Sequence, residues 1–307
     1  MLEGMDAQNL IIFSEEVHKA RKKKRPIVAL ESTIITHGMP YPDNYSLAIE
    51  AEMLARKHGC TPATIAIIDG KIRVGLTDEE KLSLSKAKNV SKLTTNNLSL
   101  NIVQKQTGST TVAATLLIAN MAKLQVFATG GIGGAHRQSE LSFDISADIQ
   151  QLSRSNLIVV CAGPKAILDI PKTVEMLESR GVPLITYKSK NVPAFWSRDS
   201  GIKSPMVVNS ISDIVKNQKF RAATGQVGCQ LICNPVPEKN EISRKYIEPI
   251  IEKAITKAIS QKIFGKALTP FLLTEVLAMT KGVSLKTNKA LLLNNVKLAS
   301  KIAFMIK

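Results

Sequence analysis

Short apolar runs recur along the chain, most of them followed by small, hydroxylic or acidic residues before a stretch of helical periodicity begins. Ile27–Leu30, Thr64–Ile68, Lys71–Val74, Leu157–Cys161 and Val182–Tyr187 read as strands, and Val126–Thr129 as a buried one. The Asp69-Gly70 pair between two of these runs predicts a tight hairpin. Apolar residues at helical spacing predict a helix over 8–24, a second over 45–58 capped by Asn44 and closed by Gly59, and a polar one over 78–87. Further helices are expected over 109–123, over 171–180 ahead of Gly181, and over about 241–263 and 286–306. Repeated strand–helix alternation predicts an α/β fold, a three-layer α/β/α sandwich on a mixed, largely parallel central sheet. No Pro/Ser-rich linker, low-complexity tract or internal repeat divides the chain, so one domain over 25–307 is expected, preceded by a basic N-terminal helix or extension over 1–24.

Composition narrows the class. Hydrophobic residues make up 44% and charged residues 21% of 307, ordinary for a globular chain and unlike a disordered one. No apolar run reaches the roughly 18 residues needed to cross a bilayer, and Glu3 and Asp6 spoil the basic-then-apolar order of a secretory signal, so a cytoplasmic protein is expected. Cys60, Cys161, Cys229 and Cys233 fit neither a metal knuckle nor a redox motif and are expected to pack as small buried side chains. The net charge of +16 raises the question of nucleic acid, but only residues 21–25 form a basic block, and aromatic residues, at 4%, offer few stacking platforms. Nucleic acid is therefore an unfavoured partner, whereas a small phosphorylated substrate suits the positive field.

The candidate chemistry lies where the apolar runs end. In open α/β sheets ligands bind outside the carboxyl ends of the strands. Residues 157–171 put Lys165 after such a run, with Gly163 in the turn and Pro164 suited to a first helical position. Burial and the positive end of a helix both favour an uncharged amine, which makes a lysine nucleophilic toward an anomeric or carbonyl carbon. The bland alternative is a surface lysine at a helix start. Glu31, at the exit of another strand, is a candidate general acid or base, against a strand-end charge paired with a basic residue. The Gly108–Thr111 turn, with Thr110 and Thr111, offers hydroxyls and N–H groups suited to an anion. The four glycines in residues 130–134 let backbone approach a ligand closely without matching the dinucleotide fingerprint. Asp144 and Asp148 would share one helix face if their segment is helical, with His136 and Glu140 just upstream, and hard oxygen ligands suit Mg²⁺ or Mn²⁺. Lys92 carries no sharp local signal.

Together, Ala29–Pro42, Gly108–Thr115, Phe127–Arg137, Phe143–Ile149, Val160–Ile170 and Val192–Trp196, extended by Asn234–Pro237, Thr269–Leu273 and Thr287–Leu291, resemble the pseudouridine-5′-phosphate glycosidase family, also called indigoidine synthase A-like. The resemblance runs in order over roughly residues 25–305. It implies cleavage of the C–C glycosidic bond of pseudouridine 5′-phosphate to uracil and ribose 5-phosphate in a homotrimer with a divalent metal, usually Mn²⁺. By matching positions it implies Lys165 as covalent nucleophile, Glu31 as proton donor and Asp144 as metal ligand. Lys92, Val112, Ser146, Ala147 and Asp148 would meet the substrate, with His136 and Asn288 as neighbours. Asn96-Asn97 stand where the family commonly has Arg-Asp. Two other readings remain at this level: a metal-independent aldolase-like lyase that forms a Schiff base on a sugar phosphate, and a non-catalytic phosphate or nucleic-acid binder.

Overall fold

The computed structural model describes residues 10–306. The parts of the expected N-terminal extension at 1–9, and Lys307, lie outside the described residues. Among the described residues eleven strands form one sheet: β1 (Ile11–Phe13), β2 (Ile27–Glu31), β3 (Thr61–Ile68), β4 (Lys71–Val74), β5 (Ser91–Leu93), β6 (Gly108–Thr110), β7 (Val126–Ala128), β8 (Ile158–Cys161), β9 (Leu184–Tyr187), β10 (Met206–Val208) and β11 (Gln230–Cys233). Their order is β1-β4-β3-β2-β7-β8-β11-β9-β10, with β6 joined to β3 and β5 to β6. Only β3–β4 and β3–β6 run antiparallel among the described pairs. The sheet is therefore mixed and mostly parallel, as the alternation of elements requires.

Successive strand residues point to opposite faces, and each face has its own core. Val28 and Leu30 of β2, Ile158 and Val160 of β8, and Ile232 of β11 pack on one side with helices Asp43–Lys57, Ile211–Ala223, Arg244–Ser260, Leu268–Met279 and Val283–Ile306. Ala29, Val159, Cys161 and Leu231 face helices Val112–Met121, Ala147–Arg154 and Ile170–Glu178 on the other. Strands covered on both faces read as unbroken apolar runs, which is why the sequence exposes them clearly. All four cysteines are free and buried, as the packing reading expects. Cys161 and Cys233 are in-register neighbours on β8 and β11, and their contact with burial drives the Cys233 thiol well above its ordinary pKa.

Local corrections have identifiable causes. The helical pattern over 8–24 splits: Ile11–Phe13 pairs parallel with β4, and the helix begins only at Glu15, with Ser14 as its cap. Asn44 does not cap its helix, which starts at Asp43; its buried amide donates to the Ile35 and Ser85 carbonyls at 2.6 and 2.9 Å and so ties three segments together. Asp69-Gly70 forms the expected hairpin turn, both residues having positive φ. The helix expected over 109–123 is shortened by strand β6 and runs Val112–Met121.

From β2 the chain moves to β3 on one side, and β7 later returns on the other. The carboxyl ends of β2 and β7 therefore flank a topological switch point, where a crevice is expected in such sheets.

Candidate active site

A cavity of about 320 Å³ opens at these carboxyl ends. Glu31 closes β2 and projects its carboxylate to the wall, where it accepts hydrogen bonds from the Thr33 and Thr129 hydroxyls. Thr129 follows β7 directly, so the two central strands fix Glu31 between them.

Gly130 begins the glycine loop. A Cβ on Gly131 would lie 2.6 Å from the Phe195 ring, and one on Gly133 would lie 2.3 Å from Ser146 Oγ. The loop is thus glycine-rich because neighbours press on it. Its tightness is locked by Asp148, whose Oδ2 accepts the Gly133 N–H at 2.8 Å and whose Oδ1 accepts the Ala113 N–H at 2.9 Å. Asp148 lines the cavity but is only 5% exposed, and both carboxylate oxygens hold backbone. It braces the walls. Ser146 caps helix Ala147–Arg154, accepting the Asp148 N–H at 3.2 Å, and both Ser146 and Ala147 face the cavity.

Asp144 and Asp148 do not share a helix face. Phe143 takes a left-handed φ of 53° and the helix starts only at Ala147, so Asp144 sits in the loop before it. The His136 N–H donates to the Asp144 carbonyl at 3.0 Å and brings the two residues together. Asp144 Oδ2 is buried and has no hydrogen-bond partner.

Lys165 lies on the wall, but not at a helix start. Pro164 bridges Ile132, the Lys165 N–H donates to the Ile132 carbonyl at 3.0 Å, and Gly163 has φ +87° with its Cα against the Pro193 carbonyl. These contacts hold residues 163–168 as a loop against the glycine loop. The helix begins at Ile170, where Asp169 caps and Pro171 occupies the first turn. The expected help from a helix end is therefore absent at Lys165.

Lys92 reaches the same cavity from β5, paired with Ser109 of β6. Asn97 braces its strand: its amide donates to the Lys92 carbonyl at 3.2 Å and accepts the Thr94 N–H at 2.8 Å. The Asn96-Asn97 pair thus fastens this loop through neutral amide hydrogen bonds. Asn288, on helix Val283–Ile306, lines the opposite wall and accepts the Trp196 indole N–H at 2.7 Å. Thr111 and Val112 line the cavity, Thr111 as cap of helix Val112–Met121. Thr110 does not. Its N–H donates to Ser32 Oγ at 2.9 Å and its hydroxyl to the Ile65 carbonyl at 2.6 Å, behind the wall.

His136 is buried, and burial lowers its basicity first; Asp144 pulls the other way, while Lys165 and Lys92 lower it further. His37, also on the wall, carries a buried Nε2 without a partner, and burial followed by Lys92 holds its pKa below the ordinary imidazole value. Sequence reasoning passed over His37 because a histidine beyond a strand exit has no spacing signature. Its place inside Ala29–Pro42, one of the stretches that carry the family resemblance, is the signal that could have found it.

Among the described residues no three His, Cys, Asp or Glu side chains form a metal cage. A hard divalent cation that keeps most of its water needs only one or two carboxylates. The orphaned Asp144 Oδ2 meets that requirement, so the residues fit a singly anchored cation.

The family model described as indigoidine synthase A-like protein matches residues 16–305. Curated relatives include pseudouridine-5′-phosphate glycosidases of Solibacter usitatus, 49% identical with 94% of this chain and 96% of the relative covered, and of Paracoccus denitrificans, 49% identical with 96% and 97% covered. Among solved structures, the prealnumycin C-glycosynthase AlnA, in complex with ribulose 5-phosphate, superposes with a TM-score of 0.89 at 31% identity, 96% of each chain covered. An indigoidine synthase A-like protein of Thermotoga maritima gives 0.88 at 33% identity, again with 96% of each chain covered.

Proposed function

The chain belongs to the indigoidine synthase A-like family, and from that premise we infer that it is a pseudouridine-5′-phosphate glycosidase. It cleaves the C–C glycosidic bond of pseudouridine 5′-phosphate to give uracil and ribose 5-phosphate. The observation that carries this reading is the meeting of Glu31, Lys92, His136, Asp144 and Lys165, from separate segments of the chain, around one cavity.

A C–C glycosidic bond offers no heteroatom to protonate on the leaving group, so the usual two-carboxylate route of glycoside hydrolysis does not apply. An amine solves the problem. Glu31, held by two hydroxyls, protonates the ribose ring oxygen as the ring opens, and the Lys165 amine, after giving up its proton, adds at C1′. The C1′–C5 bond then breaks with its electron pair going to C5 of uracil, which takes up a proton. The lysine–sugar iminium left behind is hydrolysed by water to ribose 5-phosphate and free Lys165. The Thr111 hydroxyl and Lys92, both on the cavity wall, suit the phosphate and would fix the sugar. His136, whose basicity burial lowers, stands beside Asp144 and the two lysines, where it can accept or give a proton to substrate.

Asp144 would hold a divalent cation, Mn²⁺ in this proposal, which when bound supplies a fixed positive charge for oxygen atoms of the substrate. A homotrimer in the cytoplasm completes the proposal. Its support is the family membership and the fact that no single described helix is long and apolar enough to cross a membrane.

Borohydride trapping tests the lysine step. Incubation with ribose 5-phosphate and borohydride is expected to add one reduced sugar phosphate, mapped by peptide mass to Lys165 and missing from Lys165→Ala. A label elsewhere, or none on active protein, contradicts the assignment.

A further inference from the structure

The basic block at 21–25 has no part in the chemistry above. It lies at the other end of the same strands, where Arg21, Lys24, Arg25 and Lys123 line a cleft of about 440 Å³ at the amino ends of β2 and β7. Among the described residues no acidic side chain lines it, and none of the four cations pairs with a carboxylate. Arg21 is pre-set: its guanidinium stands 4.3 Å over the Phe13 ring and donates to the Ala122 carbonyl.

One simple account is that cations offset helix ends. Helices Glu15–Lys22, Val112–Met121 and Val283–Ile306 all finish near this cleft. Each C-terminus carries about −0.5 charge, so three supply about −1.5 in total. Four cations exceed that by more than two charges. The excess leaves the cleft electrostatically suited to an anion.

The floor narrows the choice. Ile27, Leu124, Val126, Ala303 and Ile306 form an apolar base beneath the cations. A volume of this size falls in the range of small-molecule sites, and an apolar floor under a cationic rim matches a ligand with a flat body and a charged tail. A polynucleotide fits less well, since the cleft shows no aromatic ring among its lining residues on which successive bases stack.

We propose that this cleft is a second ligand site that takes a nucleoside di- or triphosphate, its phosphates on Arg21, Lys24, Arg25 and Lys123 and its base on the half-buried Ile27 and Ile306. The site is separate from the catalytic cavity: the strand β2 begins at Ile27 in the cleft and ends at Glu31 on the catalytic wall, about 13 Å away at strand rise.

Calorimetric titration with adenosine triphosphate tests it, using protein saturated with ribose 5-phosphate so that the catalytic cavity is filled. Saturable binding of one nucleotide per chain is expected, tighter than that of inorganic triphosphate and weakened by salt. The exposed double variant Arg25→Ala/Lys123→Ala should lose about tenfold or more in affinity, as expected for the loss of charge-assisted contacts, while keeping full turnover of pseudouridine 5′-phosphate. Absence of saturable binding, unchanged affinity in the double variant, or inorganic triphosphate or a short single-stranded RNA binding as tightly as the nucleotide would each overturn the proposal. Turnover by the wild type reports separately on the catalytic reading.

Discussion

Asp148 shows how a residue chosen for chemistry can serve geometry instead. Its carboxylate accepts the Ala113 and Gly133 N–H groups, so Asp148→Ala leaves two buried donors unpaired. A loss of roughly 2–5 kcal/mol in stability is expected, with Asp148→Asn losing less because one carbonyl oxygen remains; denaturant melts measure both. The resemblance implied a substrate contact for Asp148; the structure puts it on the cavity wall with both oxygens on backbone, a task invisible in sequence because a carboxylate near a glycine loop looks the same whether it faces substrate or backbone. His37 is the converse case, a wall residue without a sequence signature. Its folded pKa is depressed, so the folded form resists protonation that the unfolded form accepts. The resulting stability is present above the unfolded value of about 6.5 and is lost as pH falls below it. Thermal melts between pH 7.5 and 5 should therefore fall more steeply for the wild type than for His37→Gln; parallel curves would contradict a lowered pKa for this half-buried ring.

At the scale of elements, strands were the most legible feature because β2, β7, β8 and β9 are buried on both faces and appear as plain apolar runs. Boundaries near the site were harder. Gly163-Pro164 reads like a helix start, yet the Lys165 N–H bond to Ile132 and a tight turn closed by the Leu168 N–H on the Lys165 carbonyl keep residues 164–168 out of the helix, which waits for Asp169 and Pro171. Asp144 and Asp148 were separated in the same way by the left-handed Phe143. The true start can be tested through its cap: Asp169 accepts the Lys172 N–H at 3.0 Å, and its own N–H donates to the Ala135 carbonyl at 2.9 Å. Asp169→Ala should cost about 1 kcal/mol, whereas Pro164→Ala, outside the helix, should show no loss of capping. Equal losses from the two would restore the earlier start.

Across the whole molecule, the switch point between β2 and β7 gathers side chains that lie more than a hundred residues apart, from Glu31 to Lys165 and Asn288. No local pattern reveals such convergence. The strand ends indicated a crevice, while Lys92 and Asn288 entered through resemblance alone. The single carboxylate anchor has its own consequence: Asp144→Asn should keep the fold and lose activity that rises again with added Mn²⁺, and chelation should lower wild-type activity reversibly. Activity indifferent to both would leave Asp144 without the metal role. The central claim is C–C cleavage through Lys165, and its most direct test is chromatographic measurement of uracil released from pseudouridine 5′-phosphate by the wild type and by folded Lys165→Ala with Mn²⁺ present. The wild type is expected to release uracil and ribose 5-phosphate in equal amounts, and the variant to be at least roughly a thousandfold slower; no release by the wild type, or undiminished release by the variant, would contradict the account.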